Sequence, residues 1–136
     1  MLVFVYGTLT EPDQVEAVLG STGGDYEFVG RATLEGLSRV DGRYPTLAPG
    51  GSVEGRLLEV DRVSLSTLDG YEGVESRLYV RLEVPMADTE RSAWVYVGDP
   101  TRLGVDERVS WPKSGSFRER VESHVHSSCV RLRTNE

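Results

Sequence analysis

The sequence has few of the features of a disulfide-bonded, secreted or membrane-embedded protein. Its single cysteine, Cys129, excludes a disulfide bond within one chain and is consistent with a reducing compartment. No apolar run approaches the ~20 residues that a membrane-spanning helix needs. Residues 1–10 also lack the basic region and the cleavage site of a secretory signal. We therefore expect a cytoplasmic protein without a membrane partner.

Positive charge is scarce as well. The 22 acidic residues outnumber the 15 basic residues and give a formal net charge of −7 at pH 7. Such a surface repels a phosphate backbone unless lysine and arginine cluster locally, and the sequence shows no such cluster. We therefore expect no nucleic-acid partner. The sequence gives no indication of the oligomeric state.

What the sequence does contain is a series of short apolar strands with a few helices between them. Strands are predicted at residues 2–6, 26–40, 52–60, 78–85 and 92–97, the last two as a hairpin. Gly30 and Gly36 interrupt the second strand, which indicates a bulged strand in a curled sheet.

Three short helices are predicted between these strands. Pro12 starts the first helix and Gly20 ends it, Asp61 caps the second, and residues 117–126 form the third. A chain of 136 residues is about one domain. The expected fold is a single α+β domain of residues 1–136, built on a small curved, mainly antiparallel β-barrel. The last ~10 residues show no signal for order.

The first strand ends abruptly at Gly7, in the opening stretch MLVFVYGTLT. A residue without a Cβ atom lets another molecule come close to the backbone, so this strand end can expose N–H groups to a ligand. The alternative is an ordinary turn from a strand to a helix. Residues 1–10 taken alone favour the ordinary turn.

Three acidic residues, Asp69, Glu72 and Glu75, follow one another at three-residue spacing near the end of the second predicted helix. The negative end of the helix dipole and the repulsion between like charges both disfavour ionisation. We therefore predict that at least one of these acids has a pKa above the ~4.3 of a free glutamate. A general base that works near neutrality needs such a pKa. The alternative is a solvated turn without a chemical role.

The remaining candidates for chemistry lie near the C-terminal end of the chain. His124, His126 and Cys129 are potential metal ligands, but their spacing on a predicted helix does not direct all three side chains to one centre. No histidine is evidently placed to activate Cys129 as a nucleophile. We therefore expect neither a metal ion nor a cofactor.

Six short motifs follow one another along residues 1–98. They are YGTL at 6–9, YP at 44–45, GRLL at 55–58, LDxYEG at 68–73, YxR at 79–81 and AWVY at 93–96. In this order and spacing they resemble the gamma-glutamylcyclotransferase family, and the combination is far more specific than any single motif.

The resemblance implies a small barrel-like fold and a specific activity. That activity is the release of 5-oxoproline from a gamma-glutamyl amine or gamma-glutamyl amino acid, without a metal. By the same resemblance Glu72 is the catalytic residue. The substrate-binding loop corresponds to Tyr6, Gly7, Thr8 and Leu9.

Two alternatives stay open at this level. Tyr79 is a further candidate for substrate binding through its hydroxyl group, but strand tyrosines commonly bury the ring in the core. The function is either that of the enzyme or that of a non-catalytic member of the same fold, which binds a small metabolite or a protein partner. The presence of Glu72 favours the enzyme.

Overall fold

A computed structural model describes residues 1–42, 44–112 and 114–135 of the chain. Within these ranges the chain forms six strands and three α-helices. The strands are β1 (Leu2–Val5), β2 (Tyr26–Val40), β3 (Thr46–Val60), β4 (Tyr79–Pro85), β5 (Ser92–Gly98) and β6 (Arg131–Asn135). The helices are α1 (Pro12–Leu19), α2 (Arg62–Glu72) and α3 (Phe117–Ser127), and a short 3-10 helix covers Thr8–Thr10. None of the described helices has both the length and the apolar character needed to cross a membrane.

The six described strands form one curled sheet in the order β4-β5-β1-β3-β2-β6. Neighbouring strands are antiparallel except β1 and β5, which are parallel. The two edges of the sheet meet where Met86, just after β4, bridges Leu132 of β6. The N–H of Ala87 donates there to the Leu132 carbonyl at 2.8 Å. The predicted α+β fold with a curved, mainly antiparallel sheet is confirmed, in the form of a half-barrel.

Strand β2 carries two bulges, and bulges of this kind bend a strand and increase its twist. The register with β3 shifts between Phe28 and Gly30, and again between Glu35 and Leu37. At the second bulge Gly36 has a φ of 101°, in the region that favours glycine. A Cβ atom at Gly36 would lie 2.8 Å from a methyl carbon of Val130. The prediction of a bulged strand is confirmed.

Strand β3 begins at Thr46, six residues before the predicted start. The sequence APGG within this segment is typical of a turn. Pro49 is tolerated because β1 pairs only with residues 56–59 of β3, so this part of β3 has β2 as its single neighbour in the ladder. Residues Arg131–Asn135, which show no ordering signal in the sequence, pair with β2 as β6.

The helices begin and end at residues with recognisable capping roles. Pro12 occupies the first turn of α1, and Asp61 caps α2 by accepting the Ser64 N–H at 2.9 Å. Ser116 and Glu119 form a reciprocal capping box at the start of α3. These helices confirm the three predicted ones, and the predicted hairpin is confirmed as β4 and β5.

Strand β1 runs through the middle of the sheet and is buried over its whole length. Its position between β3 and β5 explains why its residues form a continuous apolar run. The chain leaves β1 at Tyr6 and Gly7, beside the last turn of α2, where the Thr8 hydroxyl lies 3.4 Å from the Tyr71 hydroxyl. This junction contains a pocket.

Candidate functional site

A pocket of about 560 Å³ lies between the end of β1 and the end of α2. The residues that line it come from five separate parts of the chain: Phe4, Val5, Tyr6, Gly7, Thr8, Leu9, Tyr44, Pro45, Tyr71, Glu72, Leu78, Tyr79 and Tyr96. All six residues that the sequence predicts for the site, from Tyr6 to Leu9 together with Glu72 and Tyr79, are among them. The fold therefore brings the candidate residues together around one cavity.

Glu72 is the last residue of α2 and the one carboxylate among the described residues that line the pocket. The helix ends immediately afterwards at Gly73, whose φ of 71° is in the left-handed region. The N–H of Gly73 bonds back to the carbonyls of Asp69 and Gly70, as in a glycine C-cap. Glu72 is therefore held on a well-defined helix end at the wall of the cavity.

The carboxylate of Glu72 is partly buried, and this burial raises its pKa from 4.5 to about 7. A carboxylate loses water contacts inside a protein cavity, and this loss disfavours the charged form. The predicted rise in pKa is confirmed for Glu72. At neutral pH the side chain therefore populates both its acid and its base form, as a group that accepts and then returns a proton must.

The sequence attributes this rise to the helix dipole and to repulsion within the row of three acids, but the cause that the structure shows is burial. No contribution from its two acidic neighbours appears among the causes. Asp69 forms an ion pair with Arg81 at 3.2 Å, and Glu75 is exposed beyond the helix. Sequence spacing indicates that the three residues are close along the helix, but it does not show which of them the sheet covers.

The loop after β1 is held through its carbonyl groups. Arg39 donates to the Tyr6 carbonyl at 2.7 Å, and the Gly7 carbonyl accepts both the N–H and the hydroxyl of Thr10, at 3.1 and 2.7 Å. Peptide C=O and N–H groups point in opposite directions in a trans peptide. The N–H groups of Gly7 and Thr8 therefore face away from these partners, in a loop that lines the pocket.

Gly7 makes a close approach to the opposite wall of the pocket. A Cβ atom at this position would lie 3.1 Å from Cγ of Pro45. Pro45 is held in turn by Tyr79, whose hydroxyl donates to the Pro45 carbonyl at 2.5 Å. A side chain at Gly7 would therefore press on Pro45, and Pro45 would have to shift by a few tenths of an ångström.

The sequence offers two roles for Tyr79, substrate binding through its hydroxyl group and burial of its ring in the core, and the structure combines parts of both. Its side chain is buried in the core and also lines the pocket, but its hydroxyl hydrogen is used by the Pro45 carbonyl. Burial raises the pKa of Tyr79, so its phenol stays uncharged. Tyr6 is similar, because burial raises its pKa and its hydroxyl donates to the Tyr96 carbonyl at 2.6 Å. Both phenols therefore act first as fixed aromatic walls.

Sequence reasoning did not assign a site role to three further tyrosines that line the pocket, Tyr44, Tyr71 and Tyr96. Tyr44 and Tyr71 are exposed at the mouth, and Gln14 donates to the Tyr71 hydroxyl at 3.1 Å. All three lie within the motifs YP, LDxYEG and AWVY, so the signal was present in the sequence. Only the fold shows that these motifs share one cavity.

The residues considered as metal ligands lie apart from this pocket. The Nε2 atom of His124 is 3.2 Å from the Gly36 carbonyl, and its Nδ1 atom is 3.3 Å from the Ser128 hydroxyl. Cys129 and His126 are exposed. No group of three His, Cys, Asp or Glu side chains suited to a metal ion occurs in residues 1–42, 44–112 and 114–135.

Solved structures with this architecture define the fold class. An AIG2-like protein from Mus musculus is 26% identical to this chain, with a TM-score of 0.61 over 85% of this chain and 87% of the mouse chain. A gamma-glutamyl cyclotransferase that is 15% identical has a TM-score of 0.60, covering 93% of this chain and 98% of its own. The half-barrel therefore has the gamma-glutamyl cyclotransferase-like fold.

The sequence comparisons extend this likeness from the fold to the family. Residues 3–119 match the family described as gamma-glutamyl cyclotransferase, AIG2-like. AIG2-like protein A from Arabidopsis thaliana is 33% identical over 125 residues, which cover 82% of this chain and 72% of the plant protein. The chain belongs to the gamma-glutamyl cyclotransferase, AIG2-like family. Membership of this family indicates an enzyme that acts on a small molecule.

Proposed function

We propose that the protein is a gamma-glutamyl cyclotransferase that releases 5-oxoproline and a free amine from a gamma-glutamyl amine or a gamma-glutamyl amino acid. The observation that carries this proposal is Glu72, a single carboxylate with a pKa of about 7 at the wall of the pocket. The family of the chain supports the same reaction.

The substrate supplies its own nucleophile in this reaction. The α-amino nitrogen attacks the γ-carbonyl carbon, a new C–N bond closes the five-membered ring, and the bond to the leaving amine breaks. The attacking ammonium group loses two protons and keeps one as the lactam N–H. The leaving nitrogen gains both protons and departs as an ammonium group, so the reaction is balanced without a metal, a cofactor or a covalent intermediate.

Glu72 transfers these protons. Its carboxylate takes a proton from the α-amino group, because an ammonium group has no lone pair with which to attack. The protonated form then gives the proton to the leaving nitrogen. A pKa of about 7 suits both steps, since neither form of Glu72 is strongly favoured at neutral pH.

The rest of the pocket holds the folded substrate. The N–H groups of the loop at Gly7, Thr8 and Leu9 bind the substrate carboxylate or the oxyanion that develops on the γ-carbonyl. The tyrosine rings of the wall restrict the substrate to conformations in which the amine is near the carbonyl, and such positioning accelerates ring closure strongly. The hydroxyl group of Tyr79 has an acceptor lone pair but no free hydrogen for this purpose.

The test is an assay for 5-oxoproline with the wild-type protein, Glu72→Gln and the control Glu75→Gln. The wild type should release 5-oxoproline from at least one compound in a panel of gamma-glutamyl amines and amino acids. Glu72→Gln should lower kcat at least about 100-fold, the lower range for loss of general acid–base catalysis. Glu75→Gln should stay close to the wild type, because Glu75 is exposed beyond the helix.

Two results would contradict the proposal. A Glu72→Gln protein that keeps most of its activity would show that Glu72 is not the base. A wild-type protein that binds 5-oxoproline but releases none from any compound would instead be a non-catalytic member of the fold, the second function class that the sequence leaves open.

A further inference from the structure

Asp69 lies one helical turn before Glu72 on α2, but its side chain bonds to residues of the sheet. One carboxylate oxygen accepts the hydroxyl of Tyr96, on β5, at 2.7 Å. The other lies 3.2 Å from a guanidinium nitrogen of Arg81, on β4. The Asp69 and Arg81 side chains are 27% and 24% exposed, so this ion pair is better shielded from water than a surface pair. Neither of these two residues lines the pocket.

The two partners of Asp69 are themselves held in place. Arg81 and Tyr96 are direct cross-strand neighbours in the β4–β5 ladder, so their side chains leave the sheet on the same face. The Arg81 guanidinium stacks on the ring of Trp94 at 4.3 Å. The Tyr96 carbonyl accepts the hydroxyl of Tyr6. The sheet therefore offers Asp69 a rigid docking point.

The backbone of Asp69 transmits this anchoring to the end of α2. Its carbonyl accepts the N–H of Gly73 and, at 3.0 Å, the N–H of Val74. These bonds close the turn that contains Glu72. Asp69 is thus bonded to the sheet through its side chain and to the Glu72 turn through its carbonyl.

We infer that Asp69, Arg81 and Tyr96 form a clamp that positions Glu72 against the substrate. The inference rests on the proposed function, in which Glu72 is the base. The helix itself does not depend on the clamp, because Leu65 and Leu68 bury its apolar face. The clamp instead sets where the last turn lies, and a displacement of about 1 Å at a reacting group can cost about 100-fold in rate. Arg81 and Asp69 are therefore positioning residues.

The experiment compares Arg81→Gln, Tyr96→Phe and the double variant Asp69→Asn/Arg81→Gln with the wild type. Arg91→Gln is the control, since it removes an arginine from an exposed ion pair with Glu59. Each protein is assayed for kcat and KM. The pKa of Glu72 is measured separately by ¹³C NMR on carboxyl-labelled glutamate, with the Glu72 signal assigned from Glu72→Gln.

The clamp predicts a loss in kcat of about tenfold or more in Arg81→Gln and Tyr96→Phe, with KM changed less than about threefold. The double variant should be no slower than Arg81→Gln, because both changes break one pair. The Glu72 pKa should fall from about 7 toward 4.5, since a loosened turn lets the carboxylate reach water. Arg91→Gln should match the wild type in all three values.

The direction of the pKa change separates positioning from simple electrostatics. Loss of the Arg81 cation alone would raise the pKa of a nearby carboxylate, whereas release of Glu72 into water lowers it. The titratable groups that face Glu72 from the sheet are the phenols of Tyr6, Tyr79 and Tyr96. Burial raises the pKa of each phenol, so all three stay neutral during the titration.

Wild-type kcat and an unchanged Glu72 pKa in folded Arg81→Gln and Tyr96→Phe would overturn the inference. The proposed function fails separately, if the wild type releases no 5-oxoproline from any compound. The NMR titration then decides the clamp alone: a lower Glu72 pKa in the two variants supports it, and an unchanged pKa overturns it. Tyr96→Phe decides the case if the charge variants do not fold, because it keeps the ring and alters no charge.

Discussion

The proton affinity of Glu72 is set by the water that the pocket walls exclude. The nearest acids along the helix point away from it, toward Arg81 or into solvent. A pKa raised by desolvation depends on the shape of the cavity and only weakly on salt, whereas a pKa raised by exposed like charges falls as salt screens them. The salt dependence of the Glu72 pKa therefore distinguishes desolvation from charge repulsion.

We expect kcat/KM to fall on acidification with an apparent pKa near 7, because protonated Glu72 cannot accept the proton of the amine. The acidic limb should stay in place in Glu75→Gln and at high salt. A pH–rate profile of both proteins at low and high salt measures this. An acidic limb that moves clearly to lower pH in Glu75→Gln would show that repulsion between the acids raises the pKa of Glu72 after all.

The raised pKa of Glu72 also makes the stability of the protein depend on pH, and this dependence can be measured without an activity assay. Folding raises the pKa of Glu72, so the folded state binds more protons than the unfolded state between pH 4.5 and about 7. The free energy of unfolding of the wild type therefore decreases as the pH rises from 4.5 through about 7. Relative to the wild type, Glu72→Gln should gain on the order of 1–3 kcal/mol between pH 4 and pH 8, measured by urea unfolding. No gain would mean that Glu72 is not desolvated.

At the scale of the element, the helix that carries Glu72, α2, contains one glycine and ends at another. Gly70 lies inside the helix, and apart from its two chain neighbours and the nearby backbone of its own helix no described atom lies within 4 Å of the position that its Cβ would take. Gly73 has a φ of 71°, and a Cβ atom there would lie 3.3 Å from Cβ of Leu78. The same substitution should therefore have opposite effects three residues apart.

Gly70→Ala should stabilise the protein by about 0.5–1 kcal/mol, because alanine loses less backbone freedom than glycine when a helix forms. Gly73→Ala should destabilise it by about 1–2 kcal/mol, because a Cβ atom disfavours the left-handed conformation. Each variant is the control for the other in urea unfolding. Equal effects in the two variants would show that the helix does not end at Gly73 in solution.

At the scale of the whole molecule, the sheet curls until β4 and β6 approach each other. Leu132 contributes twice to this closure, through its buried side chain and through the carbonyl that accepts the Ala87 N–H. The next residue, Arg133, is exposed and pairs with Glu35 on the surface. The C-terminal strand therefore has one face in the core and one in solvent.

Leu132→Ala should destabilise the protein by about 2–5 kcal/mol, the usual cost of removing a fully buried leucine side chain. Arg133→Ala should cost at most about 1 kcal/mol, because its ion pair is exposed. Chemical unfolding of both variants tests whether β6 belongs to the cooperative core. A Leu132→Ala protein as stable as the wild type would show that the last strand folds independently of the rest.

Much of the architecture was open to prediction because its causes are local. Asp61 at a helix start, Gly36 at a bulge and the alternation of residues 78–85 each act on their own neighbours in the chain. The extension of β3 through Pro49 was not predictable, because a proline is tolerated there only where β3 lacks a second neighbouring strand.

The sequence by itself determined which residues are available to the site, because the YGTL and LDxYEG motifs each occupy one short segment. Tertiary structure decided what they do there. In the folded protein Asp69 pairs with Arg81, the Tyr79 hydroxyl donates to the Pro45 carbonyl, and Glu72 is the acid that becomes buried. These outcomes depend on atoms that are distant in sequence and meet only when the sheet curls. The desolvation of Glu72 results from contacts between these distant segments, so the spacing of acids along a helix does not specify it.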